Sequence, residues 1–341
     1  MKLIRNYIEL NTSSQSDFTK AADIIFLDEL QAVPQVARTS GLFKVVSIPA
    51  NSGDTREFSE IDLELYATIK DEGDQAQRAQ VQQGFSKTMS VDRFGKDIGI
   101  TYEMRTRNKY PEVIARLTNI ARLVPQRQEL DLQHRIGFGT ATTYTNKDGN
   151  TVTISTGETT STALFDSTHD LRGSSTTYRN ILANNPRLSK GALEGMERLV
   201  TENTYNQMGE KMAMSFDILF TTDDPNTVNT AREYLQSTAD VEGANSGVTN
   251  VYKAKYRHVV LPLVATNASG APDTDKRYYW GIASSQMSSA YLGIWEEPHL
   301  LPPADLGKDS TEDWQYGVRG GYGITIVSGS WIKLSQGNGT A

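Results

Sequence analysis

The chain has 341 residues, of which 38% are hydrophobic and 22% charged, with a net charge of −7 at pH 7 and no cysteine. These values are typical of a globular protein of two or three domains, and they exclude disulfides and thiolate metal sites. The negative charge and the lack of a basic run argue against tight binding of nucleic acid. No apolar run reaches the ~18 residues of a membrane span, and no secretory signal is recognisable.

Residues 1–57 are predicted to form an arm followed by a first strand. Asp17 is expected to cap a short helix that Pro34 ends. The apolar stripe of this helix consists of Phe18, Ala21, Ala22, Ile25, Leu27 and Leu30. Two interpretations stay open, because such a stripe packs equally well on a neighbouring subunit or on the core of its own chain. Leu42 to Ile48 is predicted to be the strand.

Residues 58–102 are predicted to form two long extended arms. Apolar residues alternate from Ile61 to Ile69, and the alternation resumes at Phe85 and shifts register near Asp92–Gly95. A period of two indicates strands with one dry face, and the shift indicates a bulge or bend. A two-stranded hairpin is at best marginally stable alone in water. Either this chain or another copy must therefore cover it.

The tip between the two arms, residues 71–80, is polar and has almost nothing to bury. It is interpreted either as a solvated loop or as a contact between subunits. The charged candidates for such a contact, at the tip or near it, are Lys70, Asp71, Glu72, Asp74, Arg78 and Lys87.

One long helix is predicted over 110–137. Pro111 suits its first turn, and Gly137 and Gly139 end it. Its apolar stripe consists of Val113, Ile114, Leu117, Ile120, Ala121, Val124, Leu130 and Ile136. Pro125 lies inside and is expected to bend or divide the helix. A hairpin is predicted to follow at Thr142 to Ile154.

An α/β region is predicted from Leu188 onward. Ser189 is expected to cap one helix, and Asp224 with Pro225 is expected to begin another. The predicted strands are Asp217 to Phe220, His258 to Val264 and Tyr278 to Ala283, with strand-like alternation again from Trp314 to Leu334. Pro298, Pro302 and Pro303 are expected to mark a boundary.

The signals for catalysis are weak, since no phosphate-binding, zinc-protease or serine-hydrolase motif is present. The cluster most like a metal site is Asp166, His169 and Asp170. Carboxylates and imidazole do ligate cations, but turns and helix caps use the same residues. We therefore expect no enzyme activity and no cofactor.

The order of these parts resembles the major capsid proteins of tailed phages, which have the Hong Kong 97-type fold. The α/β region is similar to the Mu-like major head subunit family. The residues that carry this similarity are Leu164-Phe165 with His169, Leu188-Ser189 with Leu193, Ile218-Leu219-Phe220 before Asp224-Pro225, Ala231 to Leu235, and Tyr278-Tyr279-Trp280.

The resemblance implies an α+β fold with an N-terminal arm (1–57), an extended loop or E-loop (58–102) and a peripheral domain (103–165) that contains the spine helix 110–137. An axial domain (166–300) and a C-terminal return to the peripheral domain (301–341) follow. It also implies a head protein that assembles through hexamers and pentamers into an icosahedral shell around double-stranded DNA. A portal, a separate scaffold and loosely apposed DNA would be its partners. Its place would be the virion, after assembly in the host cytoplasm.

Two alternatives stay open at the sequence level. One is a nanocompartment shell of the same fold, which would enclose a cargo enzyme rather than DNA. The other is a metal-dependent hydrolase that uses Asp166, His169 and Asp170.

Overall fold

The computed structural model describes residues 15–49, 53–107, 110–158, 162–240, 248–302 and 313–339. The helices are α1 Gln15–Ala32, α2 Val36–Thr39, α3 Tyr102–Thr106, α4 Tyr110–Gly137, α5 Lys190–Glu202 and α6 Pro225–Gln236. The strands are β1 Lys44–Ser47, β2 Thr55–Leu63, β3 Val81–Ser90, β4 Asp92–Ile100, β5 Thr143–Thr145, β6 Thr151–Thr153, β7 His169–Leu171, β8 Ser174–Tyr178, β9 Ile218–Thr221, β10 Arg257–Val260, β11 Trp280–Ala283, β12 Ala290–Leu301, β13 Trp314–Ile326 and β14 Ile332–Ser335.

The first of two four-stranded sheets has the order β1-β12-β13-β4. β1 runs parallel to β12, and the other pairs are antiparallel. The register shift predicted near Asp92–Gly95 corresponds to a change of sheet, because β3 pairs with β2 whereas β4 pairs with β13. The second predicted arm is therefore two strands, and only the first belongs to the hairpin.

The long helix α4 spans the predicted residues and crosses the first sheet. Its apolar stripe is buried against α1 and the strands β4 and β13. Pro125 lies inside the helix without dividing it, so the expectation of a division is wrong. The helix is buried on both sides of the proline, at Ala121 and Val124 before it and at Leu130 and Leu132 after it.

Helix α1 packs on its own chain. Ala21, Ala22, Ile25 and Phe26 are buried in the same cluster as the stripe of α4. The helix begins at Gln15, so the expectation that Asp17 caps it is wrong.

The α/β region contains the second sheet, of order β10-β9-β11-β14. The two helix caps predicted there are confirmed, since Ser189 accepts a hydrogen bond from the Ala192 amide and Asp224 from the Thr227 amide. Leu193, Met196, Leu219, Ala231 and Trp280 form the centre of its core.

The predicted boundary at residue 300 lies near the end of strand β12. β12 continues through Pro298 to Leu301 and pairs with β1 and β13, with register shifts on both sides of Glu296. After β13 the chain crosses to the second sheet, where β14 pairs with β11. No helix of the described residues is long and apolar enough to cross a membrane.

Candidate subunit interface

The extended hairpin consists of β2 and β3, which pair from Thr55 with Ser90 to Leu63 with Val81. The alternation of apolar residues predicted that the first strand would end at Ile69. In the structure it ends at Leu63. Alternation reports only which side chains share a face, whereas a strand also needs a backbone partner. Beyond the Glu64–Gln80 backbone hydrogen bond, no strand pairing continues in residues 65–79.

The root of the hairpin is packed on the first sheet. Phe58 stacks on Tyr291 with ring centroids 4.3 Å apart, and Phe85 and Met89 are buried. A Cβ atom on Gly323 of β13 would overlap the Ser90 carbonyl oxygen. The close approach of β3 to the sheet therefore requires glycine at this position.

Farther out, the hairpin is held by polar contacts with residues 206–210. The Gln207 amide donates to Asp62 Oδ2 at 2.8 Å, and the Leu65 amide donates to Glu210 Oε2 at 2.9 Å. Arg172 also donates to the Gly84 carbonyl at 2.7 Å. The Tyr66 hydroxyl also donates to the Lys211 carbonyl at 3.4 Å, so these contacts tie the hairpin to the body of the molecule as far out as Tyr66.

Glu60 is an acid in the packed part of the hairpin. Its Oε1 accepts from the Ser328 hydroxyl at 2.5 Å and its Oε2 from Gln207 Nε2 at 3.2 Å. Burial, helped by the nearby charges of Asp62 and Glu158, raises the pKa of Glu60 to about 7, although the hydrogen bonds with Ser328 and Gln207 lower it in part. The sequence analysis did not single out Glu60, because it shares the polar face of the strand with Asp62 and has no distinguishing neighbour.

The outer part of the hairpin presents apolar side chains that are between 44% and 98% exposed. We call this surface the hairpin edge; its members are Ile61, Leu63, Leu65, Tyr66, Ile69 and Val81. The side chain of Ile69 is 98% exposed and that of Ile61 is 67% exposed. Five of the six members lie between residues 61 and 69, and Val81 is paired with Leu63. Exposed groups of apolar side chains are typical of interaction sites.

The charged residues singled out from the sequence lie in two places. Five of them are exposed in the loop 64–80: Lys70, Asp71, Glu72, Asp74 and Arg78. Asp71 and Asp74 close a turn in which Gly73 has a φ of +92°. Lys87 is not near the tip, contrary to expectation. Lys87 lies on β3, where it is paired with Phe58 of β2, and its ammonium group donates to the Ser155 carbonyl.

The cluster Asp166, His169 and Asp170 does not form a metal site. The His169 ring is fully buried between Glu158 Oε1, 2.7 Å from Nδ1, and Asn180 Oδ1, 3.1 Å from Nε2. Asp166 accepts from the Thr168 amide in a turn. Among the described residues, no group of three or more histidines and carboxylates could hold a metal ion.

No protein-family model matches the chain, and no curated protein matches it in sequence. Its structure is similar to one from Gordonia phage Cozz, with a TM-score of 0.50, 11% identity and coverage of 89% of each chain. It is also similar to the capsid of Ralstonia phage GP4, with a TM-score of 0.49, 14% identity and coverage of 87% of this chain and 88% of that one.

A third similar structure is a virus-like particle from Pyrococcus furiosus, with a TM-score of 0.48, 11% identity and coverage of 92% of this chain and 97% of that one. At such identities the likeness to the Cozz structure shows the fold alone. The predicted α+β fold of the Hong Kong 97 type is thereby confirmed.

Proposed function

We propose that the protein is the major capsid protein of a tailed phage, which assembles with copies of itself into a closed shell. The observation that carries this proposal is the hairpin edge, an apolar surface on an arm that the described part of the chain leaves largely exposed. A shell needs contacts that repeat between identical subunits, and obligate interfaces are large and apolar. The fold shared with a phage structure agrees with this function.

The hairpin suits the part of an arm that lies over a neighbouring copy. Its root is fixed by apolar packing and its middle by hydrogen bonds, whereas the loop 64–80 projects with exposed charges of both signs. A surface with Lys70 and Arg78 beside Asp71, Glu72 and Asp74 can complement another charged surface, which favours a correct register over wrong ones.

In this proposal residues 58–102 supply the extended loop and residues 103–165 the peripheral domain, with α4 as its spine. Residues 166–300 supply the axial domain around five-fold and six-fold centres, and residues 301–341 return to the peripheral domain. The pairing of β12 with β1 links the end of the axial segment to the N-terminal arm segment.

The proposed partners are further copies of the chain in pentamers and hexamers, a portal, and a separate scaffold if one is needed. The packaged double-stranded DNA would lie nearby without tight binding, since the chain carries a net charge of −7. The protein would act in the virion, after assembly in the host cytoplasm, as a structural component rather than an enzyme.

Electron microscopy and analytical ultracentrifugation of the purified full chain test the proposal over a range of concentrations and salts, with and without scaffold. We expect capsomers or closed shells. A chain that stays monomeric at high concentration under all these conditions contradicts the proposal.

A further inference from the structure

Strand β4 forms one edge of the first sheet. It pairs with β13 from Asp92 to Ile100, and among the described residues no strand pairs with its other side. Near the end of β4 the Gly99 carbonyl accepts from Arg116 Nη1 at 2.7 Å. An unpaired edge of nine residues offers backbone donors and acceptors to a strand of another chain.

A groove of about 740 Å³ runs along the free side of β4. We call it the β4 groove; β4 contributes residues 93–96 to it, and none of the described residues that line it belongs to β13. Its apolar walls come from residues 33–36 and from α4, and their members are Val33, Pro34, Val36, Leu123, Val124 and Leu130. A strand added to β4 would therefore place the side chains of one of its faces against apolar walls.

The charged side chains of the β4 groove leave a positive balance. Four cations and two acids line it, namely Arg93, Lys96, Arg127, Lys147, Glu129 and Asp148. Both acids are engaged within the chain, since Asp148 Oδ2 lies 3.0 Å from Arg127 Nη2 and Glu129 Oε1 accepts from the Ala37 amide at 2.6 Å. Lys96 and Lys147 are exposed and have no ion pair among the described residues. The groove therefore favours an apolar segment that is accompanied by acids.

Residues 65–70 of the hairpin have the sequence of a strand but no strand partner. Their apolar residues alternate with more polar ones, in the order Leu65, Tyr66, Ala67, Thr68, Ile69 and Lys70. The pairing of β2 with β3 ends before them, at Leu63. Asp71, Glu72 and Asp74 follow the segment directly and are exposed. The segment thus combines an apolar face with the acids that the β4 groove favours.

The segment does not reach the groove of its own chain. The Asp54 carbonyl accepts from the Val91 amide beside the start of β4, and the nine residues of β2 then carry the chain about 30 Å outward. At that distance Glu210 accepts from the Leu65 amide and the Lys211 carbonyl from the Tyr66 hydroxyl. Neither Glu210 nor Lys211 lines the groove. The occupant that fits is therefore the segment of a second copy.

We propose that residues 65–70 of one copy pair with the free side of β4 in a second copy and extend its first sheet by one strand. Leu65, Ala67 and Ile69 would face the apolar walls of the β4 groove, and each backbone would supply the partner that the other lacks. The acids that follow the segment would approach Lys96 and Lys147. This inference rests on the proposed function and adds to it the surface of the neighbour that receives the hairpin.

Disulfide crosslinking of assembled particles tests the pairing, because the native chain has no cysteine and the bond forms only between Cα atoms less than about 7 Å apart. Lys96→Cys is combined in turn with a cysteine at residues 67, 68, 69 and 70, and the oxidised particles are denatured and resolved by non-reducing electrophoresis. Lys96 lines the groove, so we expect covalent oligomers with Ala67→Cys and Ile69→Cys and several-fold lower yields with Thr68→Cys and Lys70→Cys. Glu194→Cys, at an exposed position of α5, replaces Lys96→Cys in the control and should give no oligomers.

Proline variants keep the test decisive if the cysteine variants do not assemble. Neighbouring residues of a strand donate to opposite sides, so either Ala67→Pro or Thr68→Pro should lose a hydrogen bond with β4 and raise the concentration needed for assembly several-fold. Gln77→Pro, in the same exposed loop but outside the segment, should assemble as the wild type does.

The outcomes separate this inference from the proposed function. A wild-type chain that stays monomeric overturns both. The inference alone is overturned if assembled particles give no crosslinks, equal yields at the four positions or a disulfide within one chain. It is also overturned if Ala67→Pro and Thr68→Pro both assemble as readily as the wild type.

Discussion

The Glu60 carboxylate accepts a hydrogen bond from the Ser328 hydroxyl at 2.5 Å, which joins the first strand of the hairpin to the turn after β13. The contact lies between the packed root of the hairpin and its exposed outer part. It therefore ties the hairpin to the body of the molecule and places an ionisable group at that point.

Replacing Glu60 by glutamine should remove a pH dependence of stability. The pKa of Glu60 is raised to about 7 from the ordinary 4.5, so the folded chain holds this proton more tightly than the unfolded chain does. The free energy of unfolding should fall as pH rises from 4.5 to 7 and then stay lower, by up to about 3 kcal/mol. Glu60→Gln should lack this loss and should be the more stable chain at pH 8.

Urea unfolding of the unassembled chain at pH 5 and pH 8 measures the effect. Glu57→Gln is the matched control, because Glu57 is exposed on the same strand. The role given to Glu60 is wrong if its variant follows the same pH dependence as the wild type and the Glu57 variant.

Ile69→Asp should prevent assembly and leave the single subunit intact. The side chain of Ile69 is 98% exposed, so its replacement should change the free energy of unfolding by no more than about 0.5 kcal/mol. In an interface the same change would bury an unpaired charge, and the concentration needed for assembly should rise at least about tenfold.

Sedimentation and unfolding of the same samples separate the two effects of the Ile69 change. Ile69→Leu keeps the apolar surface and should assemble normally. Gln77→Asp adds the same charge to the same loop and should assemble better than Ile69→Asp. Normal assembly of Ile69→Asp would show that the hairpin edge is not the interface.

Gly323→Ala should loosen the root of the hairpin. The added Cβ atom would lie 2.9 Å from Met89 Cγ and overlap the Ser90 carbonyl oxygen. Because backbone cannot move aside cheaply, we expect a loss of about 1–3 kcal/mol. Gly99→Ala in the same sheet meets no atom within 4 Å and should be neutral or slightly stabilising. Equal unfolding midpoints in denaturant for the two variants would contradict the close packing.

The sequence predicted best what local rules determine. The bounds of α4 follow from the apolar period and the residues at its ends, and the caps at Ser189 and Asp224 follow from the hydrogen bonds that those side chains accept from nearby backbone amides. Such signals lie within a few residues of the element that they describe.

The sequence predicted less well what distant residues determine. β2 ends at Leu63 and β4 joins another sheet because of backbone partners far along the chain. The pKa of Glu60 depends on burial beneath residues from three other segments, and the orientation of His169 depends on Glu158 and Asn180. No local pattern encodes these contacts, so the candidate site was located in outline and its buried polar groups were missed.

His169 should stabilise the fold without a metal. Its buried ring joins Glu158 to Asn180 and stacks on Tyr178 with centroids 4.8 Å apart. His169→Ala would leave a buried carboxylate without this partner and should cost about 3–5 kcal/mol of unfolding free energy, whereas Asp170→Asn at an exposed position should cost no more than about 0.5 kcal/mol. Since these contacts need no cation, dialysis against EDTA should leave the melting temperature unchanged. A metal site would instead show a lower melting temperature after EDTA and a similar loss in both variants.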